Sequence, residues 1–153
     1  MPIQQKTPQS QVDSYLDKRI AMIERAIIRE FLIIGEKMLN IARDTNKPHT
    51  FKDQTGNLRS SIGYTVSVDG RLMKQSDFAV VKDGKEGREE GIKYAKEVSI
   101  SLFDANGIVL TFVAGMDYAS YVKKNGYDVI DSAVLNGSDA VKKLINKLKL
   151  KVG

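Results

Sequence analysis

The chain has 153 residues, of which 42% are hydrophobic, and its formal net charge is +5. This length and apolar content suffice for one folded domain with a single core. Because the sequence contains no cysteine, it excludes disulfide bonds, thiolate zinc sites and a cysteine nucleophile. We therefore expect one domain over residues 1–153, with a flexible amino terminus at residues 1–9 and a frayed carboxyl terminus at residues 150–153.

The amino terminus and the apolar stretches of the chain match neither a secretory signal nor a membrane span. The first ten residues, MPIQQKTPQS, are polar and lack the apolar core of a secretory signal peptide. The most apolar stretch, AIIREFLIIG, contains Arg29 and Glu30 and is too short to cross a bilayer. The sequence thus predicts a protein that is not secreted by a signal peptide and has no membrane partner.

The amino-terminal third has the strongest periodic pattern. We expect one helix over residues 11–45, which at 1.5 Å per residue is about 50 Å long and exceeds what a domain of this size needs. Ser10 and Asp13 are predicted to form its capping box. Asn46 and Pro48 are predicted to stop it. Apolar residues recur every three or four positions, as on one helix face: Val12, Leu16, Ile20, Ile23, Ile27, Phe31, Ile34, Met38 and Ile41.

Further apolar residues widen this stripe beyond one face of the helix. Met22 and Ile33 belong to this set, and so do Ile28 and Leu32, which we select as candidate interface residues. A widened stripe indicates burial on two sides, by the protein's own sheet and by a neighbouring subunit. Gly35 costs roughly 1 kcal/mol inside a helix, so we expect a close crossing or a bend there.

The middle of the chain alternates between strand and loop patterns. Residues 61–70, SIGYTVSVDG, predict a half-buried strand that ends in a turn at Asp69 and Gly70. Residues 76–84, SDFAVVKDG, predict a second and shorter strand. The glycine-punctuated residues 84–91 predict an exposed loop or helix start. Residues 98–103 fit helix and strand equally well, so their structure stays open.

The last part of the chain predicts one strand and two helices. Residues 108–115, IVLTFVAG, indicate a central strand, and a short helix should then end near Asn125 and Gly126. Ser138 and Asp139 should open the final helix. Its apolar face comprises Val141, Leu144, Ile145 and Leu148. The chain is thus predicted to be α+β, with a long N-terminal helix and a C-terminal helix packed on one small, mainly antiparallel β-sheet.

No residue pattern in the sequence predicts catalysis. His49 is the only histidine, and no acid or metal ligand is adjacent to it in the sequence. A general base needs such an orienting partner, so a solvated loop histidine is expected. Phosphate-binding, dinucleotide-binding, zinc-protease and calcium-loop motifs are all missing. We expect no enzyme activity, no catalytic residue, no cofactor and no metal.

Two short motifs match the pattern of a phage family. The first comprises Thr55, Gly56, Leu58, Arg59 and Ser61, and the second comprises Tyr118, Ala119, Tyr121, Val122 and Gly126. In these motifs, in their spacing and in the long helix before them, the chain resembles the HK97 gp10-like family of tail-completion or head-tail joining proteins. The resemblance covers nearly the whole chain. One departure is Lys123, where the family usually has an acid after the valine.

The resemblance implies a structural protein of phage or prophage virion morphogenesis. Such a protein sits in a ring at the neck or upper tail of the virion, is assembled in the cytoplasm of the bacterial host and performs no chemistry. The implied partners are further copies of itself, the connector or adaptor, and tail proteins. Non-specific contact with packaged DNA is a further expected interaction, which rests on the basic carboxyl-terminal residues.

The motif residues can be interpreted without that resemblance. Gly56 permits a positive φ in the turn, and Leu58 can insert into the core. Arg59 fits two hypotheses, an internal clamp onto carboxylates or carbonyls and a contact between subunits. Tyr118 and Tyr121 are three residues apart on one helical face, which suits an interface or a core equally. With Val122 they complete our candidate interface.

The basic charge is concentrated at the end of the chain. Residues 138–153 contain five lysines and one aspartate, so they carry 5 − 1 = +4 of the net charge. These lysines fit either a channel that contacts DNA phosphates or the solvated face of an amphipathic helix. The alternative function is a small basic nucleic-acid-binding protein. Its candidate DNA-facing residues are Lys142, Lys143, Lys147, Lys149 and Lys151.

Overall fold

The computed structural model describes residues 8–152, with side chains up to residue 149. Of the residues predicted to be flexible or frayed, 1–7 and 153 lie outside this range, residues 8 and 9 lie within it, and residues 150–152 belong to the last helix. The described elements are helices α1 (Gln9–Arg43), α2 (Asn57–Ser60), α3 (Lys85–Ser101), α4 (Ala119–Lys124) and α5 (Asp131–Val152), and strands β1 (Ile62–Val68), β2 (Arg71–Gln75) and β3 (Ile108–Ala114).

The predicted α+β class is confirmed. The three strands form one antiparallel sheet in the order β2-β1-β3, with α1 and α5 on one face and α3 on the other. Alternate residues of β1 point to opposite faces. Ile62, Tyr64 and Val66 therefore enter the larger core beneath α1. The smaller core beneath α3 contains Phe78, Ala95 and Val113.

Helix α1 has 35 residues, as long as predicted, but both ends are shifted by two residues. Its N-cap is Pro8, whose carbonyl accepts from the amide of Val12, so Ser10 already lies inside the helix. The predicted capping box is therefore wrong. At the other end, the Asp44 side chain accepts a bond from the Asn46 amide at 2.8 Å, and this local turn ends the helix before Asn46.

Gly35 marks the close crossing that its position predicted. A methyl group there would lie 2.7 Å from the ring of Tyr64, a buried residue of β1. The absence of a side chain lets α1 lie directly on the central strand. The Tyr64 hydroxyl then reaches past the helix and donates to Glu36 Oε1 at 2.6 Å.

Strand β1 is buried along its whole length, not half-buried as predicted, because α3 covers its second face. Asp69 and Gly70 make the predicted turn, and both have a positive φ. That turn leads directly into β2, an exposed edge strand absent from our prediction. Strand β3 is confirmed in position, but it pairs only with β1, so it is an edge strand and not the central one.

Residues 76–84 do not form the second strand that we predicted. The chain leaves the sheet at Ser76, whose hydroxyl accepts from the Tyr64 amide at 2.9 Å. Phe78 then turns inward and is buried under α3, where Gly63 and Gly91 leave room for its ring. Residues 98–103, for which the sequence did not decide between helix and strand, are helical up to Ser101, where α3 ends.

The helical predictions near the carboxyl end are partly correct. Helix α4 ends at Lys124, beside Asn125 and the positive-φ Gly126 as predicted. Helix α5 begins at Asp131, seven residues before the predicted start at Ser138. The extra turns pack on α1, since a methyl group at Gly137 would lie 2.3 Å from the sulfur of Met38.

Candidate functional site

The first family motif forms a tight turn that begins α2. Gly56 has φ +82°, a left-handed conformation that favours glycine, and a methyl group there would lie 1.9 Å from the carbonyl oxygen of Val81. Thr55 Oγ1 accepts from the Asn57 amide at 3.2 Å, and Ser61 Oγ donates to the carbonyl of Leu58. Leu58 is buried in the larger core, as predicted.

Asp53 holds the start of α2, and sequence reasoning did not select it. Its carboxylate accepts from the Arg59 amide at 2.8 Å and from the Leu58 amide at 3.4 Å. An aspartate that binds the first amides of a helix is a capping residue. Its distance of six residues from Arg59 exceeds the usual capping spacing, so only the folded turn reveals the role.

Arg59 points into the protein and is only 6% exposed. Its Nη2 donates to Thr50 Oγ1 and to the carbonyl of Phe51, both at 3.0 Å, and its guanidinium carbon lies 4.2 Å from the centroid of the Phe51 ring. These contacts are those of an internal clamp. The turn aims the arginine at residues 50 and 51, and so ties the loop after α1 to the start of β1.

Arg43 reinforces the same junction from the end of α1. Its Nη2 donates to the Ile62 carbonyl at 2.9 Å and its Nε donates to the Arg59 carbonyl at 3.2 Å. Burial lowers the pKa of Arg43, and the charges of Asp77 and Glu36 oppose this shift. A side chain of α1 thus satisfies one carbonyl at the end of α2 and one at the start of β1.

A buried lysine joins this loop to the start of α5. Lys47 Nζ donates to the carbonyls of Ala42 and Val129, at 2.9 and 3.1 Å, and lies 3.8 Å from Asp128 Oδ2. Burial lowers the pKa of Lys47, against the opposing charge of Asp128. The lysine therefore ties the end of α1 to the residues that precede α5.

Asp128 is the carboxylate of this junction. Burial alone would raise its pKa, but hydrogen bonds from Ser132 and the charge of Lys47 hold the pKa below the usual value. Its backbone amide donates to the carbonyl of His49 at 2.8 Å, and His49 itself lies exposed in the loop, as expected. No group of three His, Asp or Glu side chains within residues 8–152 could hold a metal ion.

The second family motif lies at the surface around α4. Tyr121 is 68% exposed and Tyr118 is 41% exposed, whereas Val122 packs partly against the larger core. Burial raises the pKa of Tyr118, and the charges of Asp53 and Glu86 add to the shift. Lys123, the departure from the family pattern, forms an exposed ion pair with Asp131 at 3.2 Å.

The amino-terminal half of α1 forms a surface that the rest of the described chain leaves uncovered. We define the arm as residues 9–25 of α1, about 25 Å of helix at 1.5 Å per residue. The arm contains no buried residue, and none of its side chains belongs to either core. Leu16, Ile20 and Ile23 are 50%, 60% and 49% exposed.

The apolar stripe of the arm continues the core face of the same helix. The pattern repeats after eleven residues: Val12 corresponds to Ile23 and Ile34, and Leu16 corresponds to Ile27 and Met38. An eleven-residue period keeps one face nearly straight along a helix. Ile34 and Met38 are buried under α5 and the sheet. The arm carries the same apolar face beyond the part of α1 that α5 and the sheet cover.

Ile28 and Leu32, selected as interface residues, lie closer to the body of the protein than expected. Both are half-buried and pack against the larger core. Met22 and Ile33, the other two residues of the widened stripe, are exposed and could still contact a neighbouring subunit. The protein's own core thus partly covers the side of α1 that we expected a neighbouring subunit to cover.

The lysines of the last helix are solvated where they are described. Lys142, Lys143, Lys147 and Lys149 are exposed on α5, and the side chain of Lys151 lies outside the described residues. Lys143 and Lys147 face a groove of about 410 Å³ between α5 and α1. No helix within residues 8–152 has the length and apolarity required to cross a membrane.

Comparison with protein-family models gave no match, and the searches of curated proteins and solved structures gave no significant match either. The resemblance of the two motifs to the phage family therefore stays a prediction. What the geometry itself provides is an internal clamp at Arg59, an uncovered apolar arm on α1 and a basic groove beside α5.

Proposed function

We propose that this chain is a structural subunit of the neck of a tailed phage or prophage particle. There it completes the tail or joins it to the head by protein–protein assembly, without catalysis. Its proposed partners are further copies of itself together with connector, adaptor and tail proteins. The proposed site of assembly is the cytoplasm of the bacterial host, and the assembled protein is a component of the virion.

The uncovered stripe of the arm is the observation that carries the proposal. Leu16, Ile20 and Ile23 each leave about half of their surface in water. Covering that remainder contributes on the order of 1 kcal/mol per side chain. Contiguous apolar surface on a projecting helix is typical of a protein–protein contact. The motif resemblance supports the choice of a phage particle among the assemblies that could use such a contact.

Replacement of the stripe in an intact phage tests this function. In an inducible prophage that carries the gene, Leu16→Ser with Ile20→Ser should yield separated heads and tails in electron micrographs. Ile100→Ser on α3 removes an apolar side chain that is still more exposed, at 71%, and serves as the control. Intact, infectious tailed particles from a prophage that lacks the gene altogether would refute the proposed role.

The exposed lysines of α5 favour a second candidate, a small basic nucleic-acid-binding protein. Lys142, Lys143, Lys147 and Lys149 all present their charge to solvent. Binding to duplex DNA should then weaken steeply with salt, since each phosphate contact releases counterions. Fluorescence anisotropy with labelled duplex measures this dependence, and glutamine at all four positions should abolish it. Absent or salt-insensitive binding would rule out this candidate.

A further inference from the structure

We propose that the arm of one copy docks into the groove between α1 and α5 of the next copy, in a head-to-tail contact. This inference rests on the proposed function, because it names the partner and the surface through which the subunits assemble. A contact between two different surfaces can repeat from copy to copy, and it closes a ring when the rotation allows.

The groove has an apolar floor and a basic rim. Its floor is formed by side chains of both helices, among them Ile34 of α1 and Leu144 of α5. Its rim has one carboxylate, Glu30, and four exposed cations. None of these cations takes part in an ion pair with another described residue. The four are Arg29, Lys37, Lys143 and Lys147.

The arm has the complementary arrangement. Asp13, Asp17 and Glu24 are spaced by four and seven residues, so they lie along one side of the helix, next to the apolar stripe. The three cations of the arm, Lys18, Arg19 and Arg25, lie on other sides of the helix, with Arg19 at the opposite edge of the stripe. Inserting Leu16 and Ile20 into the groove would bring this acidic side against the basic rim. Opposite charges at the edge of an apolar contact set its orientation and raise the rate of association.

The two surfaces favour this occupant over the other candidates. Nucleic acid would bind the cations of the rim through its phosphates and would leave the apolar floor exposed to water. Symmetric pairing of two arms would bury both stripes and leave the groove empty. Only a segment that is apolar on one side and acidic beside it matches floor and rim together, and the arm supplies both.

Charge reversal in the full chain tests the contact. Lys143→Glu with Lys147→Glu, and separately Asp13→Lys with Asp17→Lys, should each raise the concentration for half-maximal association at least tenfold in sedimentation velocity. All four substitutions in one chain should restore association, since the charges match again. The control is Lys85→Glu with Lys93→Glu on α3, which changes the net charge equally and should leave association unchanged.

A mixing experiment separates head-to-tail docking from symmetric pairing. The chain with Leu16→Ser and Ile20→Ser keeps an intact groove, and the chain with Lys143→Glu and Lys147→Glu keeps an intact arm. Each alone should be monomeric, and their mixture should form a dimer of one copy of each and nothing larger. Circular dichroism confirms that each variant retains the wild-type helix content.

The other outcomes overturn the proposal in distinguishable ways. If the Lys143→Glu and Lys147→Glu chain still self-associates while the arm variant does not, the arms pair with each other and only the docking site is wrong. If that lysine variant loses duplex DNA binding and keeps its association, the groove serves nucleic acid. A wild-type chain that stays monomeric at millimolar concentration refutes the docking contact, while the neck function remains to be decided by the particle assay.

Discussion

The guanidinium carbon of Arg59 lies 4.2 Å from the centroid of the Phe51 ring, while Nη2 of the same side chain donates to the Phe51 carbonyl. One side chain thus binds both the ring and the backbone of a residue eight positions earlier. The tight turn at Gly56 sets the direction of this arginine. The motif at residues 55–61 is therefore explained by the fold, and the proposed assembly surface, the arm, lies elsewhere.

Arg59→Lys should destabilise the protein by about 1–3 kcal/mol, because an ammonium group cannot stack on Phe51 and satisfy the same two acceptors. Urea denaturation followed by circular dichroism measures the change. Arg88→Lys, at an exposed position of α3, is the control and should stay within about 0.5 kcal/mol of wild type. Equal stabilities for the two variants would contradict the clamp.

Gly35→Ala should destabilise the protein by about 1–3 kcal/mol, although alanine is favoured over glycine inside a helix. The added methyl group would lie 2.7 Å from the Tyr64 ring, which is buried and has little room to move. Thermal unfolding gives the sign of the effect. Ser14→Ala on the exposed arm is the control and should be neutral or slightly stabilising. A more stable Gly35→Ala chain would show that α1 can lift off β1.

Asp128→Asn should lower the free energy of unfolding near neutral pH and have little effect at acid pH. The folded pKa of Asp128 lies below its unfolded value. Its charged form thus stabilises the protein above about pH 4 and loses this contribution as the pH falls through the folded pKa. Urea titrations of both chains at pH 7 and pH 3 test the sign. A difference between the chains that grows on acidification would contradict the assignment.

Replacing the stripe of the arm should leave the fold intact. Leu16→Ser with Ile20→Ser should change the stability of the monomer by less than about 1 kcal/mol, because both side chains are at least half exposed and lie outside the cores. Phe31→Ser, at a buried position beyond the arm on the same helix, should cost about 3 kcal/mol or more. Denaturation at low protein concentration measures both, and similar losses would show that the arm packs on the body.

Local patterns were sufficient to predict several elements. The long apolar repeat gave α1, the alternation in residues 61–70 gave β1, and the apolar residues 108–115 gave β3. Each of these patterns is strong because many side chains enter the larger core. Glycine at position 35 predicted either a close crossing or a bend, and the contact with the Tyr64 ring shows the close crossing.

Other elements depend on tertiary contacts that a local pattern does not contain. Strand β2 has exposed side chains and exists because Asp69 and Gly70 turn the chain back along β1. That turn was the available signal for a hairpin partner. The early turns of α5 contain Gly137, whose lack of a side chain allows close contact with Met38.

The candidate surface was only partly predictable for a similar reason. The stripe of α1 indicated that it would be covered, but periodicity cannot show where the body of the protein ends along a helix. The core covers Phe31 and the residues after it, and this leaves Leu16 and Ile20 in water. The groove beside α5 was not predicted at all, because its rim combines Arg29 and Lys37 with lysines more than a hundred residues away.

Assembly through the arm is tested most directly by the mass of the full chain in solution. Light scattering after gel filtration should give wild-type masses that rise with concentration above the 17.0 kDa of one chain. The Leu16→Ser and Ile20→Ser chain should remain at 17.0 kDa over the same range. Masses for this variant that rise as steeply as those of the wild type would contradict the account.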